Sequence, residues 1–578
     1  MKSLLCYLKD YKKESILGPL FKLLEASFEL MIPLIMADII DVGIANRDKS
    51  YIIQKCIIMV ALGIIGLVCS LTAQYFSAKA AVGFATKLRH ALFAHIQSLS
   101  YTEIDKIGTS TLMTRMTSDI NQLQSGVNLV LRLFLRSPFI VFGAMIMAFT
   151  INVKAALIFV VTIPLLSIVV FGVMALTIPM YKKVQKQLDK VLSITRENLT
   201  GVRVIRAFDK EESEIINFSN AAEDLFGGQT KVGKISALMN PVTYVIINGA
   251  TVLLLWSGAI KVDTGILETG EVVALLNYMS QILIELIKLA NLIVTVTKAL
   301  ACASRVENIF EMKSSMEFVS AMTEEKSNYD IIRFENVSLK YDGASENAIS
   351  GVNLSVKKGE TVGVIGGTGS GKSTFVNLIP RFYDATEGTV YVDGIDVKKY
   401  PKEILREKIG VVMQKAVLFK GTIEDNLKWG KNDATEAQME KAIEIAQAKE
   451  FVDKKEGRLT SLISQGGKNL SGGQRQRLTI ARAVVKEPDI LILDDSASAL
   501  DFATDAALRK SIRNIKKDIT TIIVSQRAAS IMNADQIIVL DDGLVAGIGT
   551  HENLLKNCEV YQEIYYSQFK KSEEQEAI

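Results

Sequence analysis

The chain has 578 residues, so more than one domain is expected, and 49% of them are hydrophobic, a balance that points to a membrane region rather than an all-soluble protein. A formal net charge of +3 is too small to organise a nucleic-acid-binding surface. Five scattered cysteines (Cys6, Cys56, Cys69, Cys302, Cys558) lack CxxC spacing and read as reduced thiols, a disulfide being the lesser alternative, and three histidines (His90, His95, His551) are too few for a zinc site.

The N-terminal "MKSLLCYLKDYKKES" makes a poor signal peptide, because charges interrupt its short apolar run. Leu4, Leu5, Leu8 and Tyr11 share a helical face, which fits a short helix on the cytoplasmic membrane surface; a frayed terminus is the alternative. Six apolar stretches follow, at about 15–44, 51–78, 127–150, 155–179, 241–260 and 272–296. Each reaches the roughly 20 residues that cross a bilayer core as a helix. Lysines and arginines collect before the first span and in the second and fourth loops (Lys87, Arg89, Lys106, Arg115; Lys182, Lys183, Lys186, Lys190, Arg203, Arg206), which places both termini and both long loops in the cytoplasm.

Those loops, "VGFATKLRHALFAHIQSL" and "YKKVQKQLDKVLSITRENL", read as amphipathic helix continuing from the spans. Short turns near Tyr101–Gly108 and Phe208–Glu214 are expected at their cytoplasmic tips. Charges also lie within spans: Glu25 and Glu29, Arg132 and Arg136, Glu285 and Lys288, each pair on one helix face. They either line a polar central pathway or sit where the helices leave the bilayer. Phe134, Phe139, Met145 and Met279 could suit a lipophilic cargo, but at helical spacing such residues are more often packing or lipid-facing.

The membrane domain is thus placed at 1–300, a polar linker at 301–330, and an α/β domain of alternating strands, helices and glycine turns at 331–578. In "VGVIGGTGSGKST" an apolar strand runs into Gly366, Gly367, Gly369, Ser370, Gly371, Lys372, Ser373 and Thr374. Glycines at this spacing let backbone N–H groups wrap phosphate oxygens, Lys372 supplies a point charge, and the Ser373 hydroxyl suits Mg2+. Asp494, ending the apolar run "DILILD", is the partner for that Mg2+.

"NLSGGQRQR", with Ser471, Gly472, Gly473 and Gln474, resembles the signature motif of ATP-binding cassette (ABC) proteins. The resemblance implies ATP as the nucleotide, Tyr341 stacked on adenine, and Gln414 in "VVMQ" beside the γ-phosphate and Mg2+. It also implies that "SALD", Ser498 to Asp501, crosses to a second cassette. Six spans followed by one cassette resemble an ABC exporter half-transporter of the multidrug type. In that family two chains pair, their long loops swap contacts, the tips are coupling helices, and each ATP lies between one phosphate loop and the other chain's signature motif.

Two positions depart from the family. Asp495 stands where a water-polarising glutamate is usual, and its carboxylate is one methylene shorter. A shift of about 1 Å in such a group costs on the order of 100-fold in rate. Gln526, in "TIIVSQRAAS", replaces a histidine that touches the γ-phosphate. Gln465 is a third, lesser departure, standing for a glutamate. The reading is a degenerate site that binds ATP and hydrolyses it weakly, with an intact signature motif lent to a second, non-identical half-transporter. The chain would then be half of a heterodimeric exporter of lipophilic compounds or lipids in a bacterial inner membrane. A nucleotide-gated channel or regulator, or an exporter of peptides or of one specific lipid, is the alternative.

Overall fold

The computed structural model describes residues 3–320, 330–496, 499–515 and 518–569. Part of the expected linker (321–329) and Ser498 lie outside the described residues. The chain divides into two compact units: Met1–Gln97 with Thr109–Met312, and Ser98–Gly108 with Lys313–Ile578.

The first unit is helical. A 3-10 helix, Leu4–Tyr11, leads in; Leu4 is buried but Leu5 is exposed, so the expected apolar face is only partly used. Helix α1 (Lys12–Asp38) runs on through a π-helical turn, Ile39–Ile44, and α2 (Lys49–Ser98) follows. Past α3 (Tyr101–Ile107), which groups with the second unit, come α4 (Thr109–Thr114), α5 (Ile120–Leu133), α6 (Arg136–Ile151) and α7 (Val153–Ala207). Helices α8 (Glu211–Ala237), α9 (Met239–Asp263) and α10 (Thr269–Glu311) complete the unit.

Among the described residues five helical stretches are long and apolar enough to cross a membrane: 49–98, 109–151, 153–207, 211–263 and 269–311. The first expected span does not join them, because Lys22, Glu25 and Glu29 interrupt α1. The third expected span is broken at Phe134–Leu135, between α5 and α6. Pro138 explains the break: it has no N–H to give the Phe134 carbonyl, and its ring crowds that oxygen. With 55 residues, α7 is about 80 Å long, far beyond the roughly 30 Å of hydrocarbon in a bilayer.

Helix α10 is the hub of this unit, packing on α1, α5, α6, α7 and α9. Its buried stripe includes Tyr278, Met279, Ile282, Glu285 and Leu286, at helical spacing. Met279 is therefore core packing, whereas Phe134 and Phe139 are exposed. Glu285 faces protein rather than an open water path: it accepts from Arg136 (2.6 Å), Ser137 (2.8 Å) and Lys288 (2.8 Å).

Among the described residues the second unit holds twelve strands. The first six are β1 (Ile332–Leu339), β2 (Ile349–Val356), β3 (Thr361–Gly366), β4 (Glu387–Val392), β5 (Ile395–Asp396) and β6 (Ile409–Val412). The others are β7 (Gly421–Thr422), β8 (Leu462–Ile463), β9 (Ile490–Asp494), β10 (Thr520–Val524), β11 (Gln536–Asp541) and β12 (Leu544–Gly549). The main sheet has the order β12-β11-β3-β10-β9-β6, parallel except for β12; an antiparallel sheet has the order β2-β1-β4-β5, and β7 pairs with β8. Strand period two explains the double core. Leu491, Leu493 and Ile523 join one cluster, while Ile490, Ile492 and Ile522 join the other. A sheet buried on both faces needs such unbroken apolar runs.

Candidate nucleotide site

The site is built at the carboxyl ends of the central parallel strands, where open α/β sheets present their ligands. Strand β3 ends at Gly366, and a glycine loop then turns into α11 (Lys372–Leu378). Gly369 and Gly371 have φ of +88° and +92°, the left-handed region that favours glycine. At Gly366 a Cβ would lie 2.1 Å from the Leu540 carbonyl oxygen and 2.5 Å from Ser370 Oγ, so the loop closes on itself only without a side chain. The helix start and the free amides form an anion cradle.

Two further residues converge there. Lys372 Nζ donates to the carbonyls of Gly366 (3.0 Å) and Gly367 (2.5 Å), and burial pulls its pKa down. Ser373 Oγ donates to Asp494 Oδ1 at 3.2 Å. A hydroxyl and a carboxylate in contact are the hard oxygen donors that Mg2+ takes, so these residues fit that ion. Thr374 bonds the Tyr341 hydroxyl at 3.1 Å, which fixes Tyr341 beside α11.

Asp494 is buried at the end of β9, and burial raises its pKa, with the Asp495 charge adding to the rise. Asp495 follows with φ +44°, its N–H held by the Val524 carbonyl at 3.0 Å. Its Oδ2 accepts a long bond, 3.5 Å, from Gln414 Nε2. Burial raises the Asp495 pKa as well, against the opposing pull of Gln414, Lys372 and Arg527. Gln526 lies exposed just past β10, the strand beside β9, and its own carbonyl accepts from Gln568. Phosphate loop, Asp494, Asp495, Gln414 and Gln526 therefore gather at neighbouring strand ends. Arg527, whose charge acts on Asp495, was not singled out in the sequence; its position next to Gln526 was the available signal.

Ser471, Gly472, Gly473 and Gln474 stand apart from this group. Ser471 caps the helix Gly472–Val484: its Oγ accepts from Gln474 N (3.3 Å), and Gln474 Oε1 accepts from Ser471 N (3.0 Å). Arg475 folds back to donate to the Leu470 carbonyl at 2.7 Å and so fixes the turn before the cap. Ser471 and Gly472 are exposed, and among the described residues the motif shares no hydrogen bond with the loop 366–374. Asp501 likewise caps a helix, Phe502–Arg513, accepting from Thr504 N at 2.8 Å. Gln465 opens a 3-10 turn, Gln465–Gly467.

The cradle makes a testable contrast. Gly366→Ala is expected to destabilise the protein by about 2 kcal/mol through overpacking. Gly367→Ala, with nothing within 4 Å of the added carbon, is expected to leave the nucleotide-free melting temperature unchanged. Thermal melts of the two variants in lipid check this.

Known proteins resemble this chain over nearly its whole length. Residues 15–286 match the family model described as the ABC transporter transmembrane region, and residues 349–498 match the one described as ABC transporter. An uncharacterized ABC transporter ATP-binding protein of Mycobacterium tuberculosis is 36% identical over 97% of this chain and 97% of its own length. An ATP-dependent lipid A-core flippase of Desulfotalea psychrophila is 31% identical over 92% of this chain and 93% of its own. A solved bacterial Atm1-family ABC exporter with ATP bound has the same fold, at TM-score 0.80 and 22% identity, covering 97% of this chain and 99% of that one.

Proposed function

The chain belongs to the ABC transporter family, with membrane region and ATP-hydrolysing cassette in one polypeptide, and from that premise we propose that it is the degenerate-site half of a heterodimeric exporter. The observation that carries this is Asp495 beside Asp494, with Gln526 on the adjoining strand end. The binding parts of the site are complete. The two groups that the family uses to handle the attacking water and the γ-phosphate are altered.

In this reading the loop Gly366–Thr374 holds the phosphates of ATP, Tyr341 its adenine, and Ser373, Asp494 and Gln414 an Mg2+ ion. That ion supplies positive charge to the outer phosphates. Ser471, Gly472, Gly473 and Gln474, exposed at a capped helix start, serve the ATP on the companion's phosphate loop, with Asp501 near the crossing. Slow turnover at Lys372 keeps the cassettes together between cycles, and the companion's glutamate and histidine drive hydrolysis. A homodimer would have two weakened sites, which favours a non-identical companion.

Positive-inside counting supports cytoplasmic termini, and bacterial relatives support a bacterial inner membrane. The exposed apolar faces of α2, α7 and α9 support a lipid setting. Identity to a lipid flippase supports a lipid or lipophilic cargo moved away from the cytoplasmic side.

ATP turnover of the pure chain in lipid, alone and then with its co-purified companion, tests the proposal. Little turnover alone and strong turnover together is the expected result. Strong turnover by the chain alone would remove the case for a divided pair, and ion flux without turnover would point to a channel.

A further inference from the structure

Residue 526 sits in a loop whose backbone is tied down on both sides. Before it, the Ser525 N–H donates to the Val364 carbonyl of β3 at 3.1 Å, and Ser525 Oγ accepts from the Arg527 N–H at 2.9 Å. After it, the short helix Ala528–Ile531 begins, and a first-turn N–H has no partner within its own helix. Gln568 supplies one. Its Oε1 accepts from the Ala528 N–H at 2.9 Å, and its Nε2 donates to the Gln526 carbonyl at 2.8 Å. One amide therefore grips the carbonyl of residue 526 and the N–H two residues on, which fixes both peptide planes that flank Arg527. Among the described residues the Gln526 side chain makes no hydrogen bond of its own. Gln568 ends the helix Glu559–Gln568, which is seated in the cassette core. Tyr561 is fully buried there, and its hydroxyl shares a hydrogen bond with His551 Nδ1 at 2.8 Å. Ile564 and Tyr565 pack on the same core, and the helix lies against β3 and β11. The Tyr565 ring stacks at 4.7 Å on that of Phe569, the residue after Gln568. Strand β3 also delivers the phosphate loop, so the amide and that loop share one frame.

Resting on the reading of residue 526 as the group beside the γ-phosphate, we infer that Gln568 is a positioning residue for hydrolysis. It sets the backbone from which the side chain at 526 reaches the phosphate. An exposed side chain with no bond of its own has many places to be, and a group that acts on a phosphate gains from being placed in advance. The clamp leaves that side chain free, because Gln568 bonds only to main chain. For the same reason it serves a histidine at 526 as well as a glutamine.

The test uses the full chain with its companion in lipid, the companion's phosphate-loop lysine replaced by alanine. Asp495→Glu is present in this chain so that its own turnover is measurable. kcat and KM for ATP are compared in a cycle of Gln568→Ala with two changes at 526, Gln526→His and Gln526→Ala. With histidine at 526, Gln568→Ala is expected to lower kcat about tenfold, less than the roughly 100-fold of a 1 Å displacement, and to leave KM unchanged. With alanine at 526 it should lower kcat no further. Gln568→Glu keeps an acceptor for the Ala528 N–H and loses the donor to the Gln526 carbonyl. An intermediate loss is expected of it, and it serves as the test if Gln568→Ala does not fold. The same loss with either residue at 526 would mean that the amide merely steadies the cassette. No loss with either would mean that the clamp does not act on hydrolysis; each result overturns the inference. Equal turnover with histidine and alanine at 526, whatever stands at 568, would instead overturn the reading of that position, and the inference with it.

Discussion

Asp495→Glu combined with Gln526→His is expected to raise ATP turnover at this chain's own site by about 100-fold, the scale on which a displacement of about 1 Å in a catalytic group is felt. The measurement is made with the companion present and its phosphate-loop lysine replaced, so that only the site built on Lys372 turns over. The backbone leaves little room for Asp495 to compensate for its length. Its N–H is fixed to Val524 at 3.0 Å and its φ of +44° is already in the left-handed region. The carboxylate reaches Gln414 only at 3.5 Å, the outer limit of a hydrogen bond. One more methylene extends it toward the space between Gln414 and Lys372. Gln526 is exposed past the end of β10, so a histidine fits there without repacking. Asp495→Glu alone should supply most of the gain, because it restores the base, and Gln526→His alone should supply little. If the double variant left turnover unchanged, the idea of a crippled site would be wrong.

The parts of this site that were legible in sequence are those fixed by local chain geometry. A strand ending at Gly366, a glycine loop and a helix from Lys372 fall within a dozen residues, and Ser471 with Gln474 is a capping pair three residues apart. The hub role of α10 was not legible, since all its apolar stretches look alike until packing chooses a stripe. The seven-residue helix α3 reads as a turn in the residue pattern and as a helix only through the family resemblance, and nothing short-range in the sequence joins Tyr101 or Asp105 to Tyr383. The break before α6 had a local cause, Pro138, but long hydrophobicity outweighed one proline in the reading of that span. Glu285 and Arg136 were visible as charges within expected spans, while their pairing across separate helices required the fold.

That pairing leads to the largest expected loss of stability. Glu285 lies 16 residues along α10 from Thr269, about 24 Å at 1.5 Å per residue, on the buried stripe of that helix. The Arg136 and Glu285 side chains are only 6% and 4% exposed. Arg136 also donates to Glu29 of α1 at 2.7 Å, so one guanidinium ties α1, α6 and α10 together. Glu285→Ala leaves that guanidinium buried with half its anionic partners gone. The expected cost is about 3–5 kcal/mol, the range for breaking a buried ion pair from one side. Removing both charges with Arg136→Met and Glu285→Met should cost far less, because apolar packing often replaces a buried pair without net loss. Thermal unfolding of the protein in lipid, followed by loss of the monodisperse peak, compares the variants. Equal loss in the single and double variants would mean that volume, not charge, is what the site requires. A stable double variant that hydrolyses ATP but no longer moves cargo would mean that the three helices must be linked by charge to move together.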